Sequence, residues 1–151
     1  MACRAGGLAP AGATELHTAA RATAIPTIRM VAADLAARAD FDLDSVDDLR
    51  MAVDEACALL VRIAARNARL SCTFTVRPDR VELAVEVDVD DLGDSLTPGS
   101  IGWRVLNCLA DEVDALVLPA EPGQHGLACI ILAKTPGPHH GRDPMRVVGR
   151  Q

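Results

Sequence analysis

The sequence predicts a two-layer α+β sandwich, in which a mixed, mostly antiparallel sheet carries its helices on one face. The predicted elements follow the order β-α-α-β-β-α-β-β, so most strands come in adjacent pairs and helices are a minority. Such an order is typical of an α+β sandwich. No G-x-G-x-x-G follows the first predicted strand, and strict strand–helix alternation fails, which disfavours a doubly wound parallel sheet.

A short predicted strand at residues 15–20 is followed by the first predicted helix, residues 25–39. Five apolar residues recur there at the spacing of one helical face: Ile28, Val31, Ala32, Leu35 and Ala36. The second predicted helix spans residues 45–64, where Ser45 and Asp48 have the S-x-x-D form of a helix start. Its apolar stripe contains Leu49, Ala52, Val53, Ala56, Leu60 and Ile63.

One flank of the second helix carries the residues of most interest. On a helical wheel, Glu55 and Leu59 fall beside the apolar stripe, together with Met51 and Arg62. We therefore expect Glu55 to border a cleft or to face solvent, and Leu59 to lie outside the deepest core.

The second half of the chain has strand and turn signals. Residues 70–76 and 81–87 alternate apolar and polar side chains around an Arg-Pro-Asp-Arg turn, which predicts a β-hairpin. Pro98 and Ser100 predict the start of a third helix that runs through Leu109. The last two strands are predicted at residues 114–118 and 127–133.

Length and composition fit one domain. A chain of 151 residues buries roughly two thirds of its extended surface on folding, which is enough for one core. We assign that domain to residues 15–134 and predict disorder for residues 1–14 and 135–151, which lack an apolar period. Aromatic residues make up only 2% of the chain, so Trp103 is expected to be packed or at an interface.

The net charge of -6 disfavours DNA, RNA and anionic membranes as partners, because binding to them depends on clustered Lys and Arg. No run reaches the ~18 apolar residues of a membrane span, and residues 1–14 have no apolar export region. These features predict a soluble, cytoplasmic protein.

Cysteines and histidines show no ligand spacing. The five cysteines form no C-x-x-C pair, so we expect all of them to be reduced core residues in a reducing compartment: Cys3, Cys57, Cys72, Cys108 and Cys129. His139 and His140 lie in a segment rich in Pro and Gly, where a His pair is usually solvated. We therefore predict no metal site.

Three segments carry short motifs: LRMAVDEACALLVR in the second predicted helix, DDLGDS at residues 90–95, and SIGWRVLNCLADEV at residues 100–113. Together they resemble the bacterial anti-sigma factors that are also serine-protein kinases, a branch of the GHKL (histidine-kinase-like) ATPase superfamily. The resemblance covers roughly residues 15–134. It implies the histidine-kinase-like ATPase fold.

The resemblance also implies roles for individual residues. Glu55 matches the family's catalytic base, whereas Leu59 stands where the family carries the asparagine that holds magnesium. Asp91 and Gly93 match a relaxed D-x-G-x-G box, whose aspartate receives the adenine amino group. Gly102 matches the helix that follows the phosphate-covering lid.

The substitution at Leu59 bears on catalysis, because an isobutyl group offers magnesium no oxygen. Phosphoryl transfer depends on positioning and on neutralising charge, so it suffers more from a lost metal anchor than adenine binding does. We expect ATP binding and kinase activity to be weak or lost, with Glu55 a vestigial base. Asp91, Gly93 and Gly102 are then the candidate nucleotide contacts.

Arg29 stands where these anti-sigma factors carry an arginine that touches both the sigma factor and its competitor. The resemblance thus implies a sigma factor and an anti-anti-sigma factor as partners, with homodimerisation through the sheet. The sigma factor would be of the stress or sporulation type. An acidic surface suits the basic regions of a sigma factor.

Two other functions stay open. The first is an active serine kinase that phosphorylates the anti-anti-sigma factor, with Glu55 as base and Asp91 as adenine contact. The second is a nucleotide-sensing module without a sigma partner, which needs only the pocket at Asp91. Each residue also has a purely structural interpretation: Glu55 as a solvated residue beside Arg62, Asp91 as a turn residue and Arg29 as a solvated helix residue.

Overall fold

The computed structural model describes residues 11–91 and 96–137. Its strands are β1 (Thr14–Ala19), β2 (Arg69–Arg77), β3 (Arg80–Val89), β4 (Glu112–Leu118) and β5 (Gly126–Lys134). Its α-helices are α1 (Ile25–Arg38), α2 (Leu43–Ile63) and α3 (Ile101–Leu109), with a short 3₁₀ turn at Ala22–Ala24 before α1. The predicted element order is confirmed.

The strands form one sheet in the order β1-β2-β3-β5-β4. Every pairing among these strands is antiparallel, so the sheet contains no parallel pair within the described residues. The predicted hairpin is β2–β3, in which Arg77 lies opposite Arg80 across the two-residue turn. The predicted α+β sandwich is thus confirmed, with a sheet that is antiparallel rather than mixed.

The core lies between one face of the sheet and the three helices. Side chains alternate along each strand, so Phe74 lies beside Leu83, and Leu83 beside Leu132, in one apolar row. These three side chains are almost completely buried. Trp103 on α3 packs against the edge of this core, as expected for the single indole.

The start of α2 differs from the prediction. The helix cap is Asp42, whose carboxylate accepts a hydrogen bond from the backbone N–H of Ser45 at 2.8 Å. Asp42 precedes the S-x-x-D match, and a cap needs only a side-chain oxygen within reach of that N–H. Ser45 is instead buried in the first turn, where its hydroxyl accepts from the backbone N–H of Gly137 at 3.1 Å.

The first residues of the predicted tail contact the domain. Thr135 donates through its backbone N–H and its hydroxyl to Asp111, at 2.8 and 2.9 Å. The rest of the predicted tail, including His139 and His140, lies outside the described residues, as does the predicted disorder of residues 1–10.

Cysteine chemistry agrees with the prediction in part. Cys57, Cys72 and Cys108 are free thiols, but Cys129 is disulfide-bonded, so the prediction of a reduced thiol is wrong there. The spacing of cysteines reveals only disulfides between residues that are close in the sequence. In the fold, Cys129 lies on the outer face of the sheet, opposite Leu116. Cys3 lies outside the described residues.

The free thiols should differ in reactivity. A hydrogen bond with Cys72 and burial raise the pKa of Cys57 well above its usual value, so this thiol stays protonated at neutral pH. Cys108 is exposed. We expect iodoacetamide to modify Cys108 in the native protein, and Cys57 and Cys72 only after denaturation, as measured by peptide mass spectrometry. Modification of native Cys57 as fast as that of Cys108 would contradict this burial.

Within residues 11–91 and 96–137, none of the helices combines the length and apolar character that a membrane crossing requires. The same residues contain no group of three or more His, Cys, Asp or Glu side chains that could hold a metal ion.

Candidate functional site

The candidate site lies where the first turn of α3 meets the middle of α2. Ser100 caps α3, because its hydroxyl accepts a hydrogen bond from the backbone N–H of Trp103 at 3.3 Å. Leu106, on the inner side of α3, is fully buried. The Ser100 cap and the buried Leu106 side chain together hold α3 in an orientation that turns Gly102 toward α2.

Gly102 makes a very close approach to α2. A Cβ atom added at Gly102 would lie 2.5 Å from Oε1 of Glu55 and 2.8 Å from Cδ2 of Leu59. Real Cβ contacts are essentially never this short, so a methyl group fits at this position only if the side chains of Glu55 and Leu59 shift. Glu55, Leu59 and Gly102, all singled out from the sequence, are therefore brought together.

The predicted placement of Leu59 on a flank is wrong. Its side chain is only 2% exposed and belongs to the main core. The helical wheel considers α2 alone, whereas α3 packs over this side of α2 and buries Leu59. Leu59 thus packs in the core at the position where the anti-sigma factor kinases carry the asparagine that holds magnesium.

Glu55 borders this contact, in agreement with the prediction. Its side chain is 26% exposed, and Oε1 lies 3.9 Å from Nη2 of Arg62, two turns further along α2. At that distance the ion pair is weak, because the two groups are solvated and far apart. Glu55 keeps a carboxylate at the surface that can rotate toward solvent.

Arg29 on α1 is held by a partner that sequence reasoning missed. Its Nη1 atom donates to Oδ2 of Asp54 at 2.8 Å, and the two side chains are 34% and 36% exposed. The interpretation of Arg29 as a purely solvated residue is therefore wrong. No sequence signal connects the two residues, since the contact depends on how α1 packs on α2.

The other candidate residues lie elsewhere. Asp91 is exposed just beyond the end of β3, and Gly93 lies outside the described residues. Beside Asp91, the carboxylate of Asp90 is 2.6 Å from Nδ1 of His125, which ties the β4–β5 connection to the end of β3. Sequence reasoning found no role for His125, and no motif surrounds it.

Comparison with known families agrees with this geometry. The histidine kinase-like ATPase domain family matches residues 18–125 of the chain. This chain belongs to that family. The resemblance inferred from the three motifs is thereby confirmed, and the three helices on one face of the sheet form the helical layer of a histidine kinase-like ATPase domain.

Two relatives of this histidine kinase-like ATPase domain are informative. It is 40% identical to the anti-sigma-F factor RsbW of Mycobacterium tuberculosis over 102 residues, which are 67% of this chain and 60% of that protein. It is 30% identical to the serine-protein kinase RsbW of Bacillus subtilis over 119 residues, covering 66% of this chain and 74% of the relative. The chain thus spans less than two thirds of the mycobacterial relative's length.

Proposed function

We propose that this chain is an anti-sigma factor, which holds an alternative sigma factor of the stress or sporulation type inactive until an anti-anti-sigma factor competes for it. The naming of one relative as an anti-sigma-F factor and of another as a serine-protein kinase supports this class of function. Function is then a competition between two protein partners in the cytoplasm.

The observation that carries the proposal is the Arg29–Asp54 pair on the α1–α2 surface. The side chains of both residues are about one-third exposed, so a partner can contact them. Met30, next to Arg29, is 71% exposed, and Met51, one turn before Asp54, is 50% exposed. A fixed arginine with flexible apolar side chains nearby is the composition of a protein-binding surface.

Charge supports the choice of partner. The chain carries a net charge of -6, and its surface is therefore expected to attract the basic, DNA-binding regions of a sigma factor. The proposed homodimer would use the outer face of the sheet, where Leu116 and Leu118 are 39% and 42% exposed.

The test is a binding titration of the purified full chain against the alternative sigma factors of its host. We expect a stable complex with one of them and its dissociation when the cognate anti-anti-sigma factor is added. The housekeeping sigma factor is the matched control and should not bind. Absence of any sigma factor complex would contradict the proposal, and recovery of bound nucleotide alone would favour a nucleotide-sensing module.

An active kinase is the second candidate, and the retained Glu55 carboxylate favours it, because a general base needs reach and a suitable pKa. We propose that phosphate transfer is nevertheless weak or absent, since Leu59 supplies magnesium no oxygen. A transfer assay with labelled ATP, magnesium and the anti-anti-sigma factor decides between the two. Transfer that Glu55→Ala abolishes would establish the kinase.

A further inference from the structure

The contact between Gly102 and α2 has consequences for nucleotide binding. A magnesium nucleotide at this place requires oxygen ligands around the cation at about 2.0–2.1 Å and space for phosphates. The structure instead places the first turn of α3 directly on the methyl groups of Leu59 and the carboxylate of Glu55. Leu59 offers the cation no oxygen, and the close approach of α3 leaves little space beside the Glu55 carboxylate, so this place does not fit a magnesium triphosphate.

The packing that closes this place belongs to the main core. Leu59 and Leu106, on facing helices, are 2% and 0% exposed and lie in the same apolar cluster. Trp103 and Leu109 pack against the same cluster. Burial of this apolar surface stabilises the docked position of α3 without any ligand.

We propose that α3 is latched on α2 by this packing, so that its position is independent of ATP and magnesium. The latch consists of Gly102, Leu59 and Glu55. If the chain is an anti-sigma factor, as proposed above, it follows that nucleotide does not change its affinity for the sigma factor. Release then depends on competition between proteins.

The latch is tested first without any partner. Hydrogen exchange of the α3 amides that are bonded within the helix, residues 104–109, is measured in the full chain with and without ATP and magnesium. We expect strong protection in the free protein and less than about a twofold change on adding nucleotide, because the docked state already exists. Slowing of α3 exchange tenfold or more by ATP and magnesium would overturn the proposal.

The second test opens the latch by substitution. Gly102→Ala places a methyl group against Glu55 and Leu59. Glu55 can rotate into solvent, but buried Leu59 cannot, so overpacking should speed α3 exchange by about 5- to 30-fold. Gly99→Ala is the matched control, because an added Cβ there meets nothing within 4 Å. Equal exchange in the two variants would contradict the latch.

A double variant guards against a general loss of folding. Leu59→Ala removes the methyl groups that clash with a new Cβ at position 102. The double variant Leu59→Ala/Gly102→Ala should therefore exchange its α3 amides more slowly than Leu59→Ala alone. Two substitutions that simply add their losses would contradict direct packing.

The partner experiment separates this inference from the proposed function. We expect the affinity for the sigma factor to change less than about twofold when ATP and magnesium are added, in line with an α3 that is already docked. A nucleotide-dependent affinity would overturn the latch and keep the anti-sigma function. Unchanged α3 exchange with no sigma factor bound at all would keep the latch and reject the function.

Discussion

Leu59→Ala is expected to lower the free energy of unfolding by about 2–5 kcal/mol. The leucine side chain is 2% exposed and lies between α2 and α3, with both of its terminal methyl groups close to Gly102. Truncation removes buried apolar surface and leaves a cavity where α3 sits on α2. Urea denaturation followed by circular dichroism measures the loss.

Leu43→Ala is the matched control for this prediction. Leu43 is also on α2, but its side chain is 82% exposed, so its truncation should change stability by less than about 0.5 kcal/mol. A loss below about 1 kcal/mol for Leu59→Ala, against the range usual for buried leucines, would contradict the packing described for this residue.

The prediction also separates two interpretations of position 59. If the leucine merely replaced an unused magnesium ligand, its side chain would have no structural role and its loss would cost little. Burial in the main core indicates that the position now stabilises the docked α3. A large loss of stability together with unchanged nucleotide behaviour fits a residue with a structural role.

Much of the fold could be predicted because local patterns and tertiary structure agree. The alternation in residues 70–87 predicted the hairpin, which has one buried and one outer face. The periodicity from Ile28 to Ala36 predicted α1, whose buried residues are Ile28, Ala32 and Ala36. In these elements the apolar face seen in the sequence is the face buried in the core between the sheet and the helices.

The errors arose where a second element decides the outcome. The wheel placed Leu59 on a flank because it considers one helix, and only the docking of α3 buries that side chain. The helix start was set at Ser45, whereas Asp42 makes the capping hydrogen bond. Both Asp42 and Ser45 are residue types that cap helices, and the sequence does not show which one reaches the free N–H groups.

In the candidate site, too, the sequence identified residues but not the contacts between them. Glu55 and Gly102 were recognisable from motif spacing, but their contact depends on the distance between two helices and has no sequence signature. Asp54 illustrates this most clearly, because it is adjacent to Glu55 in sequence and yet pairs with Arg29 on another helix. The motifs singled out individual residues, and packing determined what each one contacts.

Under the proposed function, Arg29→Ala should weaken binding of the sigma factor by about 30-fold or more, the loss usual for an arginine that dominates a protein interface. The hydrogen bond to Asp54 holds the guanidinium in place at 2.8 Å, so little side-chain entropy is lost when a partner binds. Isothermal titration of the sigma factor into the wild-type and variant chains measures the effect.

Stability and binding can be separated at this residue. An ion pair between side chains about one-third exposed contributes only about 0–1 kcal/mol to folding, so the Arg29→Ala chain should remain folded. Asp54→Asn should weaken binding less than Arg29→Ala, and the double variant should bind no worse than Arg29→Ala alone, since Asp54 acts by positioning Arg29.

Arg38→Ala is the control on the same helix, because the Arg38 side chain is 74% exposed and lies in the last turn of α1. Equal losses for Arg29→Ala and Arg38→Ala would show that binding follows net charge rather than the surface formed by α1 and α2.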